Sequence, residues 1–129
     1  MVEQKVKIIV VDDEASVRET ITTYFTMKGY EVFTAESGEK ALPIIIEKKP
    51  DVILLDLNLG GGMTGLDLLK LVREFNKTVR VIMVTGATEN LKENPEFSGL
   101  GISDFLQKPI TVSRLKEVVK KALCFFSTY

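Results

Sequence analysis

Short runs of apolar, often β-branched residues, each halted by polar ones and followed by a helical pattern, recur along this chain and leave few folds open to it. Ile8 to Val11 stops at Asp12 and Asp13, Val52 to Leu55 at Asp56, and Val79 to Val84 at Thr85. Glu31 to Ala35 reads as a further strand, and Phe105 and Leu106 mark a short fifth one ending at Lys108 and Pro109. A continuous run without polar alternation suits a strand covered on both faces. Between the strands, Val17, Ile21, Tyr24 and Phe25 recur at spacings of three and four, and Gly29 follows as a stop. Ser37 caps a helix with the stripe Ala41, Leu42, Ile45 and Ile46, which Pro43 should kink or delay because it lacks an amide hydrogen. Thr64 and Asp67 form a capping pair before Leu66, Leu69, Val72 and Phe75. Thr111 caps a last helix carrying Val112, Leu115, Val118, Val119, Ala122 and Leu123. Asn94, Pro95, Ser98, Gly99 and Gly101 interrupt residues 87–101, so a short or irregular helix is expected there. Five such βα units predict an α/β fold with a parallel sheet and helices on both faces, since parallel neighbours require right-handed crossovers.

Composition removes several classes of function. The 129 residues, 45% hydrophobic, suffice for one core, so residues 1–129 are read as a single domain. Seventeen basic against eighteen acidic side chains leave a net charge of -1, which argues against nucleic-acid binding. With no histidine, the Ser/His/Asp triad and every His-ligated metal site are excluded. Cys124 is the one cysteine, so an intrachain disulfide is impossible and a reducing compartment is the simplest reading. Met1 to Lys5 leads into an apolar stretch too short for a signal peptide, and no run suits a membrane span, so a cytoplasmic location is expected.

The polar residues that end the strands carry the functional signal. In an open parallel sheet all strand C-termini lie along one edge, where ligands bind. Asp12, Asp13, Asp56, Thr85 and Lys108 are thereby expected to converge, although each alone has an ordinary account as a solvated loop residue or helix cap. Clustered carboxylates repel one another and need cations to offset them. Lys108 supplies one, and a metal held by oxygen ligands alone would be Mg²⁺ or Mn²⁺. Such a site suits phosphoryl transfer, with Asp56 as nucleophile.

The stretches Val10-Val11-Asp12-Asp13-Glu14, Pro50-Asp51-Val52-Ile53-Leu54-Leu55-Asp56-Leu57-Asn58, Val84-Thr85-Gly86 and Asp104-Phe105-Leu106-Gln107-Lys108-Pro109 together resemble the receiver domain of two-component response regulators, over essentially the whole chain. The resemblance implies a flavodoxin-like (βα)5 fold, doubly wound, with strand order 2-1-3-4-5. It implies that Asp56 takes a phosphoryl group from a histidine on a sensor kinase or phosphotransfer protein. By position, Asp13 and Asp56 match direct ligands of Mg²⁺, Asp12 a ligand through water, and Asn58 a ligand through its backbone carbonyl. Lys108 matches the lysine that holds a phosphoryl oxygen, Thr85 the switch hydroxyl, and Phe105 the aromatic that follows it. Output would then pass through the face of the fourth helix, fifth strand and fifth helix to a downstream effector, with dimerisation on phosphorylation as a further expectation. The Lys108–Pro109 peptide is expected to be cis, and the missing histidine means that the phosphoryl donor is another molecule.

Two segments depart from the family pattern. The loop from Asp56 to Gly65 is one residue longer and contains Gly60-Gly61-Gly62, and the Thr85–Lys108 interval is also one residue longer, with Pro95 where the fourth helix is expected. Two alternatives stand beside this reading. One is a receiver-like interaction module that ignores phosphate; the other is an aspartyl-nucleophile phosphatase, disfavoured because Asn58 stands where a second aspartate is normal. The apolar end, Cys124 to Tyr129, is read as a last helical turn packing on the core, or else as a cut before a linker or a dimer contact.

Overall fold

The computed structural model describes residues 5–86 and 93–127, with the backbone alone for Phe125 to Ser127. The expectations that fall on residues 1–4, on 87–92 and on the side chains of 125–129 lie outside the described residues. The elements are β1 (Lys7–Val11), α1 (Ala15–Met27), β2 (Glu31–Ala35), α2 (Gly38–Lys48), β3 (Val52–Asp56), α3 (Gly65–Phe75), β4 (Arg80–Thr85), a 3-10 turn (Pro95–Phe97), β5 (Ile102–Gln107) and α4 (Val112–Ser127).

The strands pair in parallel in the order β2-β1-β3-β4-β5, the doubly wound arrangement expected. Successive side chains of a strand point to opposite faces, so each apolar run feeds two cores. Ile9, Val11, Ile53, Leu55, Val81 and Met83 face α2 and α3, burying Ala41, Ile45, Leu68, Leu69 and Val72. Ile8, Val10, Val52, Leu54, Ile82 and Val84 face α1 and α4, burying Ile21, Phe25, Leu115, Val118 and Val119. β5 is longer than expected, beginning at Ile102, and Ser103 is an extra residue in its pairing with β4, a bulge on the sheet edge.

Local signals account for the helix ends. Gly29, at φ 87°, closes α1: its N–H donates to Thr26 O and that of Tyr30 to Phe25 O, while the Phe25 and Tyr30 rings meet at 5.1 Å. Ser37 Oγ accepts from Lys40 N, and Thr111 Oγ1 from Arg114 N. Thr64 and Asp67 complete a reciprocal capping box on α3.

Several expectations need correction. Pro43 does not delay α2, which starts at Gly38 and runs through the proline; the Ser37 cap and the buried Ala41 and Ile45 hold the helix around the missing donor. Ile46 and Phe75 are about half exposed and Val112 is exposed too, while Leu68 takes the buried position on α3. The apolar stripe needed to cover a sheet is narrower than the sequence pattern suggested, so residues at its rim reach solvent. In its described part the interrupted 87–101 segment is short and irregular as expected: Asn94 starts a three-residue 3-10 turn, its side chain accepting from Glu96 N.

Candidate functional site

Topology brings the expected residues to one edge. Asp12 follows β1, its N–H donating to Ala35 O; Asp56 and Thr85 are the last residues of β3 and β4; Lys108 follows β5, its N–H donating to Thr85 O at 2.8 Å. Carboxylate oxygens of Asp12, Asp13 and Asp56 lie within 4.8 Å of one another. Asp12 and Asp56 are buried, at 2% and 3% exposure, whereas Asp13 faces solvent.

Each buried carboxylate is divided between a turn and a cation. Asp12 Oδ1 accepts the Glu14 N–H at 2.8 Å, shaping the entry to α1, and Arg18 Nη1 donates to the Asp12 carbonyl. Asp56 Oδ1 accepts the Asn58 N–H at 3.0 Å, and its Oδ2 accepts from Lys108 Nζ at 2.9 Å. Lys108 Nζ also lies 3.2 Å from Asp12 Oδ2 and 2.9 Å from Glu14 Oε1. Burial pushes the Asp56 carboxyl above the ordinary aspartate range, and the Asp12 charge adds to this; the hydrogen bonds from Lys108 and Asn58 oppose it. For Lys108, burial acts to lower the pKa, but the hydrogen bonds to Asp56 and Glu14 and the charges of Asp56 and Asp12 outweigh it. The ammonium is therefore held above the ordinary lysine value and stays charged.

Hard carboxylate oxygens with no nitrogen or sulfur among the donors fit Mg²⁺ or Mn²⁺, and a divalent cation would offset the repulsion that Lys108 only partly relieves. At Asn58 the backbone group that touches Asp56 is the N–H. Thr85 is buried at 4% exposure at the same edge. Phe105 is half-buried on β5, its ring edge-on to Phe97 with centroids 6.0 Å apart. The Lys108–Pro109 peptide is cis, as expected.

Two contributors carried no role in the sequence reading. Glu14 is the third acid of the run after β1, and its reach to Lys108 joins positions 94 apart in the chain. Gly65 opens α3 directly beneath the end of β3: a Cβ there would stand 2.3 Å from Asp56 O and 2.9 Å from Leu57 Cα. Its place after the Thr64 cap was the available signal for a close approach. The longer glycine loop is held as well, with Met63 N–H donating to Glu39 Oε2 at 3.2 Å and Gly61 at φ 90°.

Residues 8–120 match the family model described as the response regulator receiver domain. Sporulation initiation phosphotransferase F of Bacillus subtilis is 34% identical over 119 residues, covering 91% of this chain and 93% of that protein. The phosphate regulon transcriptional regulatory protein PhoB of Pseudomonas aeruginosa is 37% identical over 122 residues, but the match spans only 52% of it. The crystallised chemotaxis protein CheY4 of Vibrio cholerae superposes with a TM-score of 0.85 at 31% identity, over 93% of this chain and 100% of that one. Among the described residues no helix is long and apolar enough to cross a membrane.

Proposed function

This chain belongs to the response regulator receiver family, and from that premise we propose that it is a phosphorelay response regulator phosphorylated on Asp56. The observation that carries the reading is the Lys108 ammonium bonded to Asp56 Oδ2 inside a three-carboxylate cluster at the strand ends. None of these charges is needed for packing, and their repulsion is a burden unless the site holds cations and anions in use.

A carboxylate oxygen of Asp56 attacks the phosphorus of a phosphohistidine on a sensor kinase or phosphotransfer protein. The new P–O bond forms as the P–N bond breaks, and the imidazole leaves to take up a proton. Asn58 N–H keeps the Asp56 carboxylate oriented for attack. Lys108 meets a peripheral phosphoryl oxygen as charge develops there. Asp12, Asp13 and Asp56 would hold Mg²⁺ (or Mn²⁺), with the Asn58 carbonyl completing the set. When bound, the metal supplies positive charge to the transferring group. Later attack of water on phosphorus releases phosphate and restores Asp56, so the domain catalyses only its own phosphorylation and dephosphorylation.

Thr85 and Phe105 form the switch: phosphorylation biases a two-state equilibrium whose readout is the face formed by the Pro95–Phe97 turn, β5 and α4. That face engages a downstream effector or a second phosphorylated copy. Residues 1–129 act as one receiver unit, in the cytoplasm.

The test is incubation with Mg²⁺ and acetyl phosphate, read by intact mass. The expected result is a single phosphoryl adduct that is lost in Asp56→Asn and without metal. No adduct, or one that persists in Asp56→Asn, overturns the reading in favour of a phosphate-independent interaction module.

A further inference from the structure

We infer that Glu14 is a releasable counter-ion of Lys108: it occupies the ammonium while Asp56 is bare, and must withdraw when a phosphoryl group is held there. An ammonium has three protons to donate. Lys108 Nζ donates to Glu14 and Asp56 at 2.9 Å each and stands 3.2 Å from Asp12 Oδ2 as an ion pair, so three carboxylates share its charge in the resting protein. A phosphoryl group on Asp56 brings anionic oxygens to the same ammonium, where they compete with the carboxylates of Glu14 and Asp12.

The three partners are unequal. Asp12 is fixed by burial and by the Glu14 N–H on its other oxygen, and Asp56 is fixed at the end of β3 with the Asn58 N–H on its Oδ1. Glu14 has a side chain 56% exposed and stands at the rim of an open groove lined by Val17, Ile21, Ile110 and Leu115. It has room and water to move into. Its carboxylate reaches Lys108 from the α1 side, so a dianion on Asp56 faces a like charge across one nitrogen until Glu14 swings out. Glu14 thus raises the cost of the phosphorylated state and covers Lys108 in the unphosphorylated one, making it a positioning residue for the lysine.

The inference rests on the proposed role of Asp56, and the experiment separates the two. Binding of beryllium fluoride, an acyl-phosphate mimic, is titrated by calorimetry at saturating Mg²⁺ for wild type, Asp56→Asn, Glu14→Gln, Glu14→Asp and Glu117→Gln. The last removes an exposed carboxylate that pairs with Arg114 on α4. Wild type should bind and Asp56→Asn should not. Glu14→Gln should bind about fivefold more tightly, as expected for removing one like charge at this range in a partly solvated site. That gain should shrink at high salt, while Glu14→Asp and Glu117→Gln should remain close to wild type. Equal or weaker binding by Glu14→Gln, or an equal gain in Glu117→Gln, overturns the counter-ion role while leaving Asp56 as acceptor. No binding by the wild type overturns both.

Discussion

Replacing Gly65 with alanine sets two effects of opposite sign against each other at the first residue of α3. In a helix seen from its own sequence, the change should stabilise by up to about 1 kcal/mol, because alanine loses less backbone entropy on folding. The structure predicts the reverse. The new methyl would stand 2.3 Å from Asp56 O, 2.9 Å from Leu57 Cα and 3.1 Å from Asp56 C, all backbone atoms at the end of β3. No rotamer change relieves such a contact, so α3 must retreat from β3 by about 1 Å to restore ordinary van der Waals separation. Overpacking of this kind costs about 1–3 kcal/mol. The Gly65 N–H···O Leu57 bond, now 3.1 Å, would also stretch. Set against the helix gain, the net is a loss of about 1–2 kcal/mol, or about 4–8 °C in Tm for a domain of this size. Differential scanning calorimetry without metal measures it. Because the same shift drags the Asp56 carbonyl, Mg²⁺ affinity by calorimetry should fall too. An alanine variant as stable as wild type or more so would refute the reasoning.

Other outcomes follow from the same geometry. Gly62→Ala brings its Cβ 2.8 Å from Glu39 Oε2, the mobile end of a side chain, so stability to urea should drop by under about 1 kcal/mol, in contrast with Gly65. Arg73 is 9% exposed and donates to the carbonyls of Leu100, Asn76, Val79 and Gly101. Arg73→Met keeps much of the volume but strands these acceptors, and urea unfolding should show a loss of about 3 kcal/mol. Asp67 is held below its ordinary value of 3.8 by the Thr64 backbone N–H and then by its hydroxyl. A carboxyl with a depressed folded pKa stabilises above its unfolded value and loses that contribution as pH falls through the folded one. Asp67→Asn should therefore melt below wild type at pH 7, with the gap closing as pH drops below 3.8.

What the sequence determined by itself was whatever a few neighbouring residues decide. Strand and helix identity followed from the periodicity of apolar side chains, and the ends of α1, α2, α3 and α4 from Gly29, Ser37, the Thr64–Asp67 pair and Thr111, whose hydrogen bonds span only a few positions. The convergence of Asp12, Asp13, Asp56, Thr85 and Lys108 was also legible, because parallel strands put their C-termini on one edge whatever their order. Only the tertiary structure decided which carboxylates Lys108 touches, since the Glu14 contact closes a separation of 94 residues that no local pattern encodes. It alone made Arg73 a buried tie among four carbonyls, and placed Gly65 where a methyl cannot fit. Ile46 and Phe75 reached solvent for the same reason. A helix presents its whole stripe in the sequence, but the width that is buried is set by the sheet beneath it and by neighbouring helices, through contacts between residues far apart in the chain.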